Sequence, residues 1–487
     1  MKRFSIALAF AVLCIASSCT KDEIDGGIAP VTGEMTGSGE VSQVSAVFRF
    51  DAGALGLPAE CQDELERVAE ELEKKDSEGL LQASGSLWTA VHSMKFTYWS
   101  VDGSGKPIEL SARLYWPYSK ITSKPERVND VVVYCHETMF QSGGIAPSET
   151  DNNNFGTNLA QRGNLVVIPD YIGFGETKQL DQTYLCQNLI ARNCVDALLA
   201  AIGKSKTVNS GISSLKEGYG TYIMGYSQGG GNGLALHRYI ETKASDYDRR
   251  TINLKRSFLG SGPYNPLLTF QSWMKDGQMT MPILMAMVLQ GFQAEGKSKL
   301  AGYDLHTYFS EAFNSSGLLD SLAGKTLSMA GSLTGLIKYL PEDKVISLPE
   351  KSMLPYYKLD AIASNEVFDP QSELRKILDS CLEEENQLAD NWKPQHPITF
   401  FYTEGDDIVP AVNTVKAFET LDDGKGTVKI VNCGYNSHIL AQIVYMVYAI
   451  YLDAYKSDSY IGNIPQSIID FVNGLLESID ITKLLNM

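Results

Sequence analysis

The chain has 487 residues, of which 44% are hydrophobic and 20% charged, a composition that is ordinary for a globular protein and excludes extended disorder. This length allows two or three domains of typical size, or one large domain with an insertion. The net charge of −17 argues against nucleic acid as a partner, because affinity for it depends on Lys and Arg side chains that neutralise phosphates.

The N-terminus is typical of an exported protein. Lys2 and Arg3 precede an apolar run over 4–15 and small residues at 16–18, which predicts a signal peptide over 1–18. That run is too short to cross a bilayer, which takes about 20 residues. Cys19 follows directly, in an arrangement that resembles a bacterial lipobox, and the acidic residues after it resemble signals that send lipoproteins to the outer cell surface. We therefore predict a protein anchored to the outer membrane through a lipid on Cys19; a plain signal peptide is the alternative.

The next segments lead into a folded domain. Residues 19–50 are rich in Gly, Ser, Thr and acidic residues, and we predict a flexible tether there. A charged helix is expected over 58–82. Predicted strands over 88–101 and 108–116 flank a hairpin turn that begins at Asp102.

Strands and helices then alternate. Buried strands are predicted over 130–135, 164–168, 220–224 and 257–260, and helices over 154–162 and 184–202 and from the end of the third strand to about 242. The alternation returns with strands over 398–403 and 428–431 and a helix over 437–455. It favours an α/β fold with a mostly parallel sheet and helices on both faces. Residues 265–395 break the pattern, so we predict a helical cap inserted between a first core part, 51–264, and a second, 396–487. No segment after the signal peptide has the length and apolarity of a transmembrane helix.

Ser227 lies in a Gly-x-Ser-x-Gly motif between a predicted strand and a predicted helix. This context is typical of a nucleophile elbow, a turn so tight that Gly225 and Gly229 are needed to leave room for it. Gln228 would begin the helix, so its N–H can help to stabilise an oxyanion.

A serine nucleophile needs a histidine base, which an acidic residue orients. His438 follows a predicted strand and opens a helix, the position expected for that base, whereas the other histidines after Ser227 are predicted to be structural: His237, His306 and His396. The acid is expected at the end of the preceding strand. We favour Asp406, keep Asp407 as the alternative, and assign Glu404 to the surface.

Beyond this motif, the sequence resembles the secretory lipase family of α/β-hydrolases from about residue 88 onward. The resemblance rests on the motif above and on four further blocks: His136-Glu137-Thr138 followed by Ala146-Pro147-Ser148, Pro169-Asp170-Tyr171-Ile172-Gly173-Phe174-Gly175, Asn391-Trp392-Lys393-Pro394, and Asp406-Asp407-Ile408-Val409-Pro410. It implies an α/β-hydrolase fold and a triad of Ser227, Asp406 and His438. It also implies that oxyanion donors come from Gln228 and from the Glu137–Thr138 segment.

Two positions depart from the family pattern. Glu137 replaces the family's oxyanion glycine, and a carboxylate there would oppose a developing oxyanion unless it points away or is paired. Gln182 and Thr183 stand where the family usually has His-Pro, which predicts different contacts on the substrate side. Asp170 is interpreted as structural rather than as the catalytic acid.

Cysteines and methionines add two further predictions. Cys186 and Cys194 lie eight residues apart in one predicted helix, about 12 Å along its axis, which is too far for a disulfide bond. The cysteine spacings match no zinc pattern, so isolated core thiols are expected although an exported protein permits disulfides. Five methionines fall within 273–292, where they either line an acyl-chain pocket or simply pack the cap.

Together these features predict a carboxylic ester hydrolase that acts on apolar, lipid-like esters, as in lipid catabolism, at the cell surface. It requires no metal and no organic cofactor, and the sequence leaves its oligomeric state open. Three alternatives share these residues: a serine peptidase, an acyltransferase, and an inactive surface protein that binds ligands in the same pocket. A peptidase of the prolyl-oligopeptidase type is disfavoured because the chain before residue 88 is too short for the β-rich domain usual there.

Overall fold

A computed structural model of the chain describes residues 32–44, 89–141, 146–150, 154–207, 210–296, 299–327, 336–346, 352, 354–434, 437–452 and 456. The predicted signal peptide, Cys19 and the predicted helix over 58–82 lie outside these residues.

An 11-stranded mixed sheet forms the centre of the described chain. Its strands are β1 (Met35–Ser38), β2 (Ser42–Val44), β3 (Thr89–Val101), β4 (Pro107–Ser119), β5 (Lys124–Pro125), β6 (Val128–Cys135), β7 (Asn164–Pro169), β8 (Leu215–Tyr226), β9 (Leu254–Gly260), β13 (Ile398–Tyr402) and β14 (Val428–Asn432). The order across the sheet is β1-β3-β4-β7-β6-β8-β9-β13-β14, with β2 beside β3 and β5 beside β4. Six neighbouring strands run parallel to one another: β7, β6, β8, β9, β13 and β14. The other pairs in this sheet, which all include β3 or β4, are antiparallel.

The predicted strands follow from the apolar runs in the sequence. Strand β7 is buried along its whole length and β6 over its last five residues, as expected for parallel strands covered on both faces. The predicted hairpin joins β3 and β4, and the Asp102 carboxylate closes its turn by accepting hydrogen bonds from the backbone N–H groups of Ser104 and Lys106.

Helices connect the strands and pack against the sheet. Those associated with the sheet are α1 (Asn154–Gln161), α2 (Gln187–Ser205), α3 (Gln228–Thr242), α4 (Asp246–Ile252), α11 (Val412–Leu421) and α12 (His438–Leu452). Between β9 and β13 lie α5 (Pro266–Asp276), α6 (Ile283–Glu295), α7 (Glu311–Ser315), α8 (Leu318–Ala323), α9 (Asn365–Phe368) and α10 (Glu373–Glu384). Short 3-10 turns occupy Pro147–Glu149, Gly175–Thr177, Leu305–Tyr308, Ile337–Tyr339, Glu342–Lys344, Leu359–Ala361 and Ala389–Asn391.

The segment between β9 and β13 also contains a second, three-stranded sheet. Its strands β10 (Gln278–Met279), β11 (Val345–Ile346) and β12 (Tyr356–Lys358) pair antiparallel in the order β10-β12-β11. Strands β9 and β13 themselves are neighbours in the main sheet, so this whole segment enters and leaves at adjacent positions. Within the described residues, no helix combines the length and the apolarity needed to cross a membrane.

The prediction of a flexible tether over 19–50 is wrong for part of that segment. Residues Met35–Ser38 and Ser42–Val44 form strands that pair with β3. Their side chains are mostly exposed. The pairing therefore rests on the free edge of the long strand β3, which a count of polar residues in the segment cannot reveal.

Candidate active site

Ser227 lies at the junction of β8 and α3, in the turn that the Gly-x-Ser-x-Gly motif predicts. Its φ of 55° and ψ of −124° fall in a region that costs about 1–3 kcal/mol for a residue with a side chain. The turn leaves no space for neighbouring side chains: a Cβ on Gly229 would overlap the carbonyl oxygen of Cys135, and one on Gly225 would overlap that of Gly229. The Ser227 N–H donates to the Gly260 carbonyl at 2.9 Å, which ties this turn to the end of β9.

Asp406 follows the end of β13, and His438 lies just beyond the end of β14. The His438 Nδ1 lies 2.9 and 2.8 Å from the two carboxylate oxygens of Asp406, and both side chains are 5% exposed or less. Asp406 Oδ1 also accepts the backbone N–H groups of Ile408 and Val409, at 3.1 and 2.8 Å, which fix the carboxylate in its turn. His438 Nε2 is buried and has no hydrogen-bond partner among the described residues.

Asp407, the alternative acid, contacts the backbone of His438 rather than its imidazole. Its Oδ1 accepts the His438 N–H at 2.9 Å, and its other oxygen accepts the Ser352 hydroxyl. Burial raises the pKa of this carboxyl. A further hydrogen bond, 2.5 Å long, joins the Thr280 hydroxyl to the Asp407 carbonyl. The acid turn is therefore bonded to two residues of the segment between β9 and β13. The sequence favours Asp406 because it stands three residues before Val409, the usual spacing for this turn, but it does not show the separate contacts that the two aspartates make.

Two tyrosines make hydrogen bonds to His438 and to the turn that contains Ser227. The Tyr226 hydroxyl donates to the His438 carbonyl at 2.8 Å, and the two rings lie 5.0 Å apart. On α12, the Tyr445 hydroxyl accepts the Gly225 N–H at 3.0 Å and donates to the Phe258 carbonyl at 2.8 Å. Both tyrosines are fully buried. Sequence reasoning missed them because Tyr226 fills an unspecified position of the Gly-x-Ser-x-Gly motif and Tyr445 lies in no motif.

The segment after β6 contains Glu137 at the position of the family's oxyanion glycine. Its carboxylate accepts a 2.5 Å hydrogen bond from the Tyr134 hydroxyl, three residues earlier on the strand. His136 stacks on Tyr171 with ring centroids 3.9 Å apart, and the Tyr171 hydroxyl donates to the His136 carbonyl. Burial lowers the pKa of His136 to about 4, so this ring is neutral at physiological pH. Glu137 is thus a paired carboxylate.

Gln228 and Thr138 occupy the other predicted oxyanion positions. Gln228 is the first residue of α3, where backbone N–H groups lack an intrahelical acceptor, and it is buried. The Thr138 hydroxyl lies 2.9 Å from the hydroxyl of Tyr184. Tyr184 directly follows Gln182 and Thr183, the two residues that depart from the pattern of the resembled family. The tyrosine itself is kept, and it contacts the predicted oxyanion segment.

The remaining predicted positions have other contacts. Asp170 is buried and accepts the Ser111 hydroxyl at 2.6 Å and the Ser148 N–H at 3.0 Å, which ties the end of β7 to β4; burial raises its pKa to about 6. Exposed Glu404 accepts a hydrogen bond from the Asn432 amide. His306 lies on the surface between Asp304 and Asp320.

The cysteines and methionines of the described chain are mostly core residues. Five cysteines are buried thiols that form no disulfide bonds, as predicted: Cys135, Cys186, Cys194, Cys381 and Cys433. Four of the five clustered methionines are buried as well: Met279, Met281, Met285 and Met287. Met285 of α6 also lines a small apolar cavity of about 30 Å³, together with Phe270, Trp273 and Leu185. A cavity of this size holds no more than a water molecule. Packing therefore accounts for these methionines in this conformation.

Comparison with known proteins gives matches among solved structures. No protein-family model and no curated protein matches the chain. The chain is similar to the rice cell wall degrading esterase LipA from Xanthomonas oryzae, with 20% sequence identity, a TM-score of 0.63, and 88% of this chain and 100% of that one covered. It is also similar to Candida antarctica lipase A, with 13% identity, a TM-score of 0.53, and 92% and 91% covered.

The chain has the α/β-hydrolase fold. At these identities the likeness concerns architecture, and it covers 88–92% of this chain. In open sheets of this kind, ligands bind outside the carboxyl ends of the parallel strands. Ser227, Asp406 and His438 all lie at those ends, after β8, β13 and just beyond β14.

Proposed function

We propose that the protein is a serine ester hydrolase of the secretory lipase type, with Ser227 as nucleophile, His438 as general base and acid, and Asp406 as the residue that orients the base. The observation that carries this proposal is the buried hydrogen bond between Asp406 and His438 Nδ1, together with a serine in a strained turn at a helix N-terminus, whose neighbour Tyr226 bonds to the His438 carbonyl. That bond places the proton on Nδ1 and leaves Nε2 to accept one.

In this mechanism His438 Nε2 removes the Ser227 hydroxyl proton as the oxygen attacks the ester carbonyl. Backbone N–H groups, among them that of Gln228, stabilise the negative charge on the tetrahedral intermediate. The intermediate collapses when the bond to the alcohol breaks and His438 gives its proton to the leaving oxygen. Water then attacks the acyl-enzyme with His438 as base again, which releases the acid and regenerates Ser227.

The pairing of Glu137 supports an active enzyme over an inactive binding protein. A charged carboxylate that faced the intermediate would raise the barrier, since two negative charges at contact distance repel strongly in a site with little water. The Tyr134 hydroxyl instead donates a hydrogen bond to one carboxylate oxygen of Glu137. We infer that the Glu137–Thr138 segment contributes backbone donors while the Glu137 side chain is held at Tyr134.

We also propose that residues 265–395 act as a cap over the site and that the substrates have apolar acyl groups. The hydrogen bonds of Thr280 and Ser352 to Asp407 support a cap that contacts the acid turn directly. The apolar composition of α6, a helix of this segment, supports apolar acyl groups as substrates.

Hydrolysis of p-nitrophenyl esters from C2 to C16 tests this function, with Ser227→Ala beside the wild-type protein. We expect activity that is lost in the variant and greatest toward long acyl chains. A maximum at C2 to C4 would make the protein an esterase for small acyl groups. No activity at any length from a folded protein would contradict the proposal. Products formed with an added alcohol distinguish acyl transfer from hydrolysis.

Export and anchoring are proposed from the N-terminal residues alone. We propose that Cys19 carries a lipid that anchors the protein to the outer membrane, facing outward. Mass spectrometry of the mature N-terminus and fractionation of cells that express Cys19→Ala test this. A soluble variant supports the anchor, whereas an unchanged membrane fraction would contradict it.

A further inference from the structure

A cluster of two histidines and a glutamate lies away from the proposed triad. His237 Nε2 is 3.0 Å from Glu241 Oε1, and His396 Nδ1 is 2.7 Å from the same oxygen. The three potential ligand atoms all lie within 4.8 Å of one another. His237 is fully buried and Glu241 is 7% exposed, so this is not a chance group of surface side chains.

The fold assembles the cluster from distant parts of the sequence. His237 and Glu241 are four residues apart on α3, so they share one face of that helix. His396 arrives just before β13 begins at Ile398. The cluster therefore connects the helix that follows Ser227 to the strand that leads to Asp406. The spacing of His237 and Glu241 was visible in the sequence, but nothing in the sequence brought His396 to them.

The surroundings orient these side chains as a metal site would require. His237 Nδ1 lies 2.7 Å from the Ser257 hydroxyl, a second contact that fixes the ring and, with the proton on Nδ1, aims a lone pair from Nε2 at the carboxylate. The backbone N–H groups of Gln395 and His396 hold the Glu241 carboxylate in place, at 2.9–3.1 Å. Protein zinc sites often show such outer contacts around their ligands.

A cavity of about 310 Å³ opens beside the cluster. Its lining includes Glu241, His396, Asn253 and Arg249, and it has room for several waters. The His396 side chain is 40% exposed, so an ion has a path from solvent. Arg249 is the cationic group here, and it is engaged by the Asp246 carboxylate and the Glu241 carbonyl.

We propose that His237 Nε2, the Glu241 carboxylate and His396 Nδ1 bind a divalent cation of the zinc class, with a water from the cavity as fourth ligand. Two imidazoles and one carboxylate form a common zinc ligand set and disfavour Ca²⁺ and Mg²⁺, which prefer oxygen ligands. A bound ion would stabilise the fold, because it links α3 to the segment before β13. It does not depend on the proposed ester hydrolysis.

The test uses the full mature protein after dialysis against a chelator. Zn²⁺ alone is titrated by calorimetry, and Co²⁺ binding is followed by its visible absorption, which is stronger in a tetrahedral site than in aqueous Co²⁺. We expect one equivalent to bind, and the midpoint of thermal unfolding to rise with Zn²⁺ because the ion binds the folded state. His396→Gln should weaken binding by more than tenfold. Because the His396 side chain is partly exposed, we expect this variant to fold, and its thermal unfolding curve checks this.

His306→Gln is the matched control, because His306 also lies between carboxylates but on the surface. Binding that is lost in His396→Gln and kept in His306→Gln supports the site. Ser257→Ala should lower the affinity about 10–100-fold, as expected for a residue that contacts a ligand rather than the ion. No binding by the wild-type protein, or equal binding by wild type and His396→Gln, would overturn the proposal and leave the cluster as a hydrogen-bonded network.

Discussion

Replacing Asp406 with Asn tests the proposed acid through its hydrogen bonds. Asp406 Oδ1 accepts two backbone N–H groups, from Ile408 and Val409, so the single oxygen of an asparagine would remain at that position. The asparagine NH₂ group would then face His438 Nδ1, which must become an acceptor. The proton moves to Nε2, and His438 can no longer accept the proton of Ser227.

The magnitude follows from the loss of the base. The same tautomer change in serine proteases lowers kcat by about 10⁴, which corresponds to about 5.5 kcal/mol in the activation free energy at about 1.4 kcal/mol per factor of ten. Asp406→Asn should therefore lower kcat about 10⁴-fold on a p-nitrophenyl ester at pH 7 while KM changes little. Stability should change little, because the two backbone hydrogen bonds persist.

Asp407→Asn is the control in the same turn. Its amide oxygen can still accept the His438 N–H, so we expect kcat within about tenfold of the wild-type value, since the lost or altered bond to Ser352 is worth about 1–2 kcal/mol. If the kcat of Asp406→Asn stays within tenfold of wild type, or if Asp407→Asn loses as much activity, Asp406 is not the residue that orients His438.

Three further variants test the packing around the site. Gly229→Ala places a methyl group against the Cys135 carbonyl, and we expect a loss of about 3 kcal/mol or more in urea unfolding, or no folded protein. Tyr134→Phe removes a donor to Glu137 and should cost about 1–2 kcal/mol in the same assay; an unchanged midpoint would mean that this hydrogen bond is not made. The pKa of Asp170, raised to about 6 by burial, means that the folded protein keeps a proton that the unfolded chain loses near its ordinary pKa of 3.8. Its contribution to stability is complete below about pH 4 and is lost as pH rises through 6, so in Asp170→Asn the change in unfolding free energy between pH 4 and 7 should differ from wild type by up to about 3 kcal/mol.

Much of the fold could be predicted because local patterns agree with it. The valine-rich run that forms β6 and the alternation of strands with helices both indicate a parallel sheet, and the structure has one. The edge strands Met35–Ser38 and Ser42–Val44 could not be predicted in this way. They depend on a free edge of β3 that exists only after the rest of the sheet has formed.

In the candidate site too, some features follow from local sequence and others depend on the assembled fold. The Gly-x-Ser-x-Gly motif locates Ser227, because steric room in a tight turn is a local property. The choice between Asp406 and Asp407 depends on which carboxylate reaches the imidazole, and the structure pairs Asp406 with His438 Nδ1. Tyr226 stands at an unspecified position of that motif, and nothing in the sequence shows that its hydroxyl bonds to the His438 carbonyl across the fold.

The roles of Glu137 and of two histidines could not be predicted, because they depend on which side chains the fold brings together. Glu137 is unfavourable beside an oxyanion only if its carboxylate faces that oxyanion, and its hydrogen-bond partner Tyr134 lies on the preceding strand, where sequence alone does not show side-chain direction. His237 and His396 were interpreted separately as structural residues, whereas the fold brings both to Glu241.

Labelling with an alkyl fluorophosphonate tests the central claim most directly, because this reagent reacts with a serine only where a base activates it. The labelled protein is digested, and mass spectrometry locates the adduct. We expect one adduct per chain, on Ser227, and no adduct in His438→Ala when that variant retains its fold. An adduct on another serine, or none on a folded wild-type protein, would contradict the assignment of Ser227 as the activated nucleophile.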